Sequence, residues 1–362
     1  MTVETPVPAA RLDSVQALRG IAALLVVLYH SAAIWREHAG LPGAWPGPWD
    51  QGYAGVDLFF VISGFIMVWI AGGAARGPRR AGRFLWRRVT RIYPLWWIFC
   101  GLMALYFLLA YGQPASPAVV GPDGAWGYLL ASLALWPQSS MPVLQVGWTL
   151  TFEMGFYLIF AALLLLPPRI RPWLLLLWGA GVLVGLRALS FETMPGSPFA
   201  LMFHPLVLEF LLGAAVAYIL PRWRDEGWAR FIALAGAFAF AAWLAVGLDP
   251  AEPAFPAQRV LVFGAPAALL LAGLVRRDVA GGRVPAWLER LGDQSYALYL
   301  SHFLVLLAFK RVLALPGWLE GGGAVSLALF MALGTGLSLL VGWAAHRALE
   351  RPLLHLARRR AR

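Results

Sequence analysis

With a single cysteine, Cys100, in 362 residues, the chain can form neither an intrachain disulfide nor a cysteine metal site. Cys100 itself lies in an apolar run and reads as a small core or lipid-facing residue. Charge is also scarce: 13% of residues are charged against 60% hydrophobic, with 18 Trp, more apolar surface than a soluble core of this length hides. Lipid must therefore cover much of the chain. No polar stretch is long enough to fold alone, the longest being the loop near 39–52, the basic loop 72–91 and the loop 112–124. No internal repeat of the kind that marks transporters is present. The net charge of +11 does not point to nucleic acid, because the arginines fall in short clusters between apolar runs rather than along one face. They read as topology signals and as contacts to anionic membrane lipids.

Apolar runs of spanning length occur near 14–35, 53–71, 92–111, 147–166, 172–189, 199–220, 229–247, 258–275, 295–315 and 324–346. An eleventh run, 125–136, is shorter and ends at Pro137. Placing the clusters Arg76 to Arg91, Arg169 with Arg171, Arg222 with Arg224 and Arg230, Arg276 to Arg290, and Arg351 to Arg362 in the cytoplasm needs ten crossings, with the short run re-entrant or interfacial. Lys310 and Arg311 fall at an external helix end, where they can snorkel. The expectation is an all-α, polytopic bundle of about ten transmembrane helices with both termini cytoplasmic: a tail 1–13, one membrane domain 14–346 and a basic tail 347–362. The first run is preceded by Arg11 and Asp13 and carries its own Arg19 and His30, which argues against a cleaved signal peptide.

Ionisable groups inside spans are expensive, so each marks a functional hypothesis. Arg19 and His30 are eleven residues apart, close to three helical turns, so they share one face roughly 16 Å apart. Ala22, Ala23 and Val26 lie between them and leave room for something to lie along the helix. Alone, Arg19 reads equally as a snorkelling anchor and His30 as a packing histidine. Glu153 and Asp57 enter from the external side and share His30's depth, so a neutral imidazole oriented by a carboxylate is a plausible general base towards a hydroxyl. A buried polar network that only fixes helix packing is the competing reading. Arg87, Arg88 and Arg91 stand at a spacing that can grip phosphates, or can serve only as a positive-inside cluster. Ser295, Tyr299 and His302 share a face that lines a tunnel or merely packs. No role is assigned to His204 or Glu209, and His346 and His355 read as interfacial.

Five segments carry a resemblance: Leu-Arg-Gly-Ile-Ala-Ala-Leu-Leu-Val-Val-Leu-Tyr-His, Gly-Val-Asp-Leu-Phe-Phe-Val-Ile-Ser-Gly-Phe, Arg-Arg-Val-Thr-Arg-Ile-Tyr-Pro, Trp-Thr-Leu-Thr-Phe-Glu and Ser-Tyr-Ala-Leu-Tyr-Leu-Ser-His. Together, and in this order over nearly the whole chain, they resemble the membrane-bound acyltransferase-3 family. The Gly-Phe-Ile-Met variant after Ser63 is most similar to the bacterial branch that O-acetylates exopolysaccharide or O-antigen. The resemblance implies a multi-pass protein of the bacterial inner membrane. It implies transfer of an acyl group, usually acetyl, from cytoplasmic acyl-CoA (acetyl-CoA) to a hydroxyl of an envelope glycan or lipid-linked glycan precursor, without a metal. It carries the family's Arg-x10-His pair onto Arg19 and His30, its Arg-x-x-Arg onto Arg88 and Arg91, and its helix glutamate onto Glu153. Some family members bear a fused extracytoplasmic esterase-like domain; the short basic tail here leaves any such second step to another protein.

On this reading phosphates of the donor sit at Arg88 and Arg91, with Arg87 and Arg19 nearby, and the pantetheine arm threads along Ala22, Ala23 and Val26. His30 deprotonates the acceptor, with Glu153 or Asp57 orienting it, or else forms an acyl-histidine. Ser63, Tyr299 and Trp148 are the candidate oxyanion donors, and His302 lines the tunnel. A glycan or lipid-precursor flippase without acyl chemistry is the rival class, and a membrane scaffold a third. The sequence carries no signal of oligomeric state.

Overall fold

The structure, a computed structural model, describes residues 12–71, 76–116, 119, 124–188, 194–223, 225–249, 255–314 and 323–360. Most of the expected N-terminal tail, Arg224, and the last two residues of the basic tail lie outside the described residues. Fifteen α-helices and no strands are found among them: α1 Asp13–Ala39, α2 Ala54–Ala71, α3 Pro78–Tyr111, α4 Gly124–Ala134, α5 Trp148–Leu163, α6 Arg171–Ala188, α7 Pro198–Phe203, α8 Val207–Ile219, α9 Glu226–Val246, α10 Phe255–Arg259, α11 Ala265–Val279, α12 Ala286–Asp293, α13 Ser295–Ala314, α14 Ala324–Ala345 and α15 Arg351–Arg360. Among the described residues seven helical stretches are long and apolar enough to cross a membrane: those built on α1, α2, α3, α5, α9, α10 with α11, and α14 with α15. The other three expected spans fall on α6, on α7 with α8, and on α13. The protein is an all-α, polytopic membrane bundle.

Several boundaries differ from the sequence expectation. The basic loop expected over 72–91 is helical from Pro78, which opens α3 at its first turn, and the helix continues through Pro94 to Tyr111. Its arginines therefore stand on a rigid helix. The run 199–220 breaks between α7 and α8, at His204 to Leu206: the proline at 205 offers no backbone N–H, and His204 adopts extended backbone (φ −64°, ψ 139°). The segment expected as a basic tail continues α14 through a π-turn, His346–Glu350, into α15.

The short run 125–136 becomes α4, 11 residues, about 16 Å long and half of what a crossing needs. The last carbonyls of a helix lack intrahelical donors, and for α4 the donors come from α3. Trp96 Nε1 donates to Ser132 O (3.1 Å), Trp97 Nε1 to Leu133 O (3.1 Å) and Tyr93 Oη to Ala134 O (2.9 Å). The turn after α4 closes by Trp136 N to Ala131 O and Leu135 N to Ser132 O, with Leu135 at φ 55° where glycine is usual. Burial of the Leu135 side chain offsets that conformation.

The centre is built by backbone-close helix crossings. A Cβ on Gly55 would overlap the carbonyl of Ala22 on α1, and Cβ atoms on Gly64 and Gly213 would overlap the carbonyls of Phe210 and Val61 across the α2–α8 contact. Helix α2 is thus clamped between α1 and α8. Gly64→Ala is expected to force the two backbones apart, costing about 1–3 kcal/mol and lowering the thermal unfolding temperature of the detergent-purified protein. An unchanged midpoint would show that the crossing tolerates a methyl group.

Candidate active site

Helices α1, α2, α3, α5 and α13 converge on one open cavity, about 710 Å³ of space including the solvent at its mouth. At one end stand Arg19 of α1, Ile66 of α2, Arg88 and Arg91 of α3, Tyr157 of α5 and Ser295 of α13; one to two turns along the same helices the other end is formed by Phe59, Thr149 and Tyr299, with Ser63 and Glu153 between. Of the residues singled out from sequence, the cavity brings together Arg19, Ser63, Arg88, Arg91, Glu153 and Tyr299, from all five helices.

Its charge is lopsided. Arg88 is buried, its guanidinium 5.4 Å from the Phe84 ring centre and 5.3 Å from that of Tyr157, contacts that hold it by cation–π attraction. Among the described residues neither Arg88 nor Arg91 makes a hydrogen bond or ion pair, and the Arg19 guanidinium meets only the amide oxygen of Gln16, at 3.2 Å. Glu153 is the one carboxylate lining the cavity, and it accepts a hydrogen bond from Ser63 Oγ at 2.5 Å. Three guanidiniums with almost no acceptors have the chemistry that can hold an anion. Arg87, one residue from Arg88 and so turned about 100° around the helix, is exposed and does not join them.

The stripe expected to leave room for a threaded ligand is filled. Ala22, Ala23 and Val26 are fully buried, Ala22 and Val26 under α2 at Gly55, and Ala23 with Leu291 and Leu298. Small residues on a membrane helix brought neighbouring helices close instead of leaving a groove. The cavity is lined instead mainly by α2, α3, α5 and α13.

His30 does not line the cavity; it sits beyond Tyr299, which does. The Tyr299 ring is 5.9 Å from that of His302, and the His302 ring is 5.1 Å from that of His30. His30 Nδ1 is 2.9 Å from the carbonyl of Val26, and His302 Nδ1 is 3.2 Å from that of Leu298. A carbonyl only accepts, so each Nδ1 carries the proton. His302 Nε2, 3.3 Å from His30 Nδ1, then faces that N–H with a lone pair. His30 Nε2 keeps its own lone pair, the form a general base requires.

Among the described residues no carboxylate orients His30, contrary to expectation. Asp57 is fully buried and its two oxygens accept from Arg259 Nε (3.0 Å) and Nη2 (2.7 Å), with Glu209 alongside. Glu153 is held by Ser63. Arg259 and Glu209 were missed as functional partners; Arg259 stands inside an apolar run, and an intramembrane charge demands a partner that spacing alone does not reveal. The expected oxyanion donors are also engaged: Ser63 donates to Glu153, and Tyr299 Oη donates to Val146 O (3.0 Å) while contacting Thr149 Oγ1 (2.8 Å). Trp148 lines a separate pocket of about 230 Å³ with Trp136 and Gln138, behind the ring of Phe60. Among the described residues no cluster of His, Cys, Asp and Glu that would hold a metal occurs.

The chain is similar to several known proteins. It is 34% identical over 321 residues to the exopolysaccharide production protein ExoZ of Rhizobium meliloti, an alignment covering 85% of this chain and 92% of that protein. It is 30% identical over 391 residues to the acyltransferase MdmB of Streptomyces mycarofaciens, covering 98% and 95%. A partial match, 24% identical over 229 residues, links 58% of this chain to 34% of the peptidoglycan O-acetyltransferase OatA of Listeria monocytogenes. No solved structure matches significantly. The family model described as an acyltransferase domain matches residues 12–347, which include the cavity and the histidine pair: the chain belongs to the acyltransferase-3 family of integral membrane acyltransferases.

Proposed function

We propose that this protein is an O-acyltransferase of the bacterial inner membrane that moves an acyl group, acetyl first among them, from cytoplasmic acyl-CoA to a hydroxyl of an exported polysaccharide or its lipid-linked precursor. One observation carries the reading: a cavity ringed by Arg19, Arg88 and Arg91, two of them with no acceptor among the described residues, ends one aromatic ring away from a histidine pair that leaves a lone pair on His30 Nε2. The names of its relatives ExoZ and OatA support a glycan acceptor and acetyl as the group moved.

On this reading the chain crosses ten times as one membrane domain, residues 14–346, with both termini inside, and the basic end of α3 faces the cytoplasm. Anionic phosphates of the donor pair with Arg88, Arg91 and Arg19, while the acyl-pantetheine arm follows the face of α2 from Ser63 to Phe59 towards Tyr299. Displacement of the Tyr299 ring opens the way to His30. His30 Nε2 takes the proton of the acceptor hydroxyl as its oxygen attacks the thioester carbonyl; the C–S bond breaks, and the imidazolium returns the proton to the departing thiolate. Oxygen gains the acyl group, and free CoA leaves with a thiol.

The test is release of CoA from acetyl-CoA by purified protein in detergent, with and without a polysaccharide acceptor, alongside mass analysis of the glycan. Acceptor-dependent CoA release with a matching acetyl increment on the glycan is expected; intact thioester beside glycan that still crosses the membrane indicates a flippase. In the same assay Arg88→Ala and Arg91→Ala should each raise KM for acetyl-CoA about 10- to 100-fold, the worth of a hydrogen bond to a charged group. Lysine at either place should restore little, because it loses the bidentate fork. Wild-type KM in both variants would remove the phosphate site from α3.

A further inference from the structure

We infer that His302 is a positioning residue for the reaction: buried against His30, it accepts the His30 Nδ1 proton and holds that imidazole as a base at Nε2, in the place where a carboxylate usually stands. The inference rests on the reading of His30 as the general base.

The reach and polarity of the hydrogen bonds carry it. His302 is fully buried on α13, and its own Nδ1 proton is tied to the carbonyl of Leu298 one turn back. Only the lone pair of Nε2 is left to face His30, 3.3 Å from its Nδ1. His30 is back-bonded in the same way to Val26, so its Nδ1 proton is shared between a backbone carbonyl and the second imidazole. Rotating the His30 ring by half a turn would put Cδ2 where Nδ1 stands and break both contacts. The two back-bonds and the imidazole contact therefore fix one tautomer and one ring orientation.

The available carboxylates are engaged elsewhere, Asp57 by Arg259 and Glu153 by Ser63. A neutral acceptor suits this site: it avoids burying another anion in the bundle, which is unfavourable where pairing is imperfect. It still rewards the transition state. When His30 Nε2 gains the acceptor's proton, positive charge spreads to Nδ1–H, and a contact between neutral rings becomes a charge-assisted hydrogen bond. The effect falls on the proton-transfer step and not on the donor's anchor at the arginines, so it belongs to kcat and leaves KM for the donor alone.

Three variants of the full-length protein in detergent test this. His302→Leu keeps most of the volume and removes the acceptor; His302→Gln can bring an amide oxygen to the place of Nε2; His302→Asn can reach only the place of Nδ1. We expect kcat to fall about 10- to 100-fold in the Leu and Asn variants with KM for acetyl-CoA within about twofold, and at least a tenfold recovery in the Gln variant. Equal losses in Gln, Asn and Leu, or losses that appear in KM, would make His302 a packing residue. If the Leu variant does not fold, the Gln to Asn ratio decides alone, since both amides are polar and only one reaches. His30→Ala is measured in parallel: activity surviving there overturns the general-base reading itself, whereas activity lost there but normal in His302→Leu overturns only the role of His302.

Discussion

His30→Ala should lower kcat about 10²- to 10⁴-fold, the usual contribution of a positioned general base, while leaving KM for acetyl-CoA close to the wild-type value. The separation of the two constants follows from the site's layout: the arginines that would bind the donor line the cavity at one end, and His30 lies past the Tyr299 ring at the other. Removing the imidazole touches none of the guanidiniums. His30→Gln is the stricter comparison, because an amide keeps the shape and a hydrogen bond but cannot take a proton at neutral pH, and it should be nearly as inactive as alanine. CoA release from acetyl-CoA with a polysaccharide acceptor measures the constants, and the acetyl increment on the host's glycan checks them in the cell. Wild-type acetylation by either variant at normal protein levels would end the assignment.

How much of this was legible in the sequence depends on whether the signal was local. The long apolar runs mark the helices, and the parity of the arginine clusters assigns the short run 125–136 to a helix that does not cross; α4 there has 11 residues. The cavity's arginines, Ser63, Glu153 and Tyr299 could be singled out because an ionisable or hydroxylic side chain in a span stands out wherever it points. Partnership was not legible. Asp57 and His30 share a depth, yet Asp57 turns to Arg259, 202 residues away, and His30 to His302, 272 residues away. The small residues Ala22, Ala23 and Val26 have the same pattern whether they border a channel or admit a neighbouring helix, and only the glycines of α2 decide between the two. The helical state of the basic segment after Pro78 was hidden because positive charge marks a cytoplasmic side equally well in a loop or in a helix.

Asp57→Ala and Arg259→Ala should each destabilise the folded protein by about 3–5 kcal/mol, since breaking a buried pair leaves one charge uncompensated. Arg259 is bound through two parallel hydrogen bonds, is 5% exposed, and lies over the rings of Tyr53 and Phe255 at 5.0 and 5.5 Å, so no solvent replaces the lost carboxylate. The pair joins the start of α2 to α10, and Glu209 brings in α8. Replacing both charges, as in Asp57→Ala with Arg259→Ala, should cost less than the two single changes added together, because neither partner is then left stranded. Thermal unfolding of the four proteins in one detergent reads the cycle directly. The same set separates a lock from a catalytic carboxylate. If Asp57 oriented His30, Asp57→Asn would depress kcat in protein that unfolds at the wild-type temperature. With Arg259 as its partner, the loss instead appears as a lowered unfolding midpoint, and kcat measured well below that midpoint stays within a few-fold of wild type.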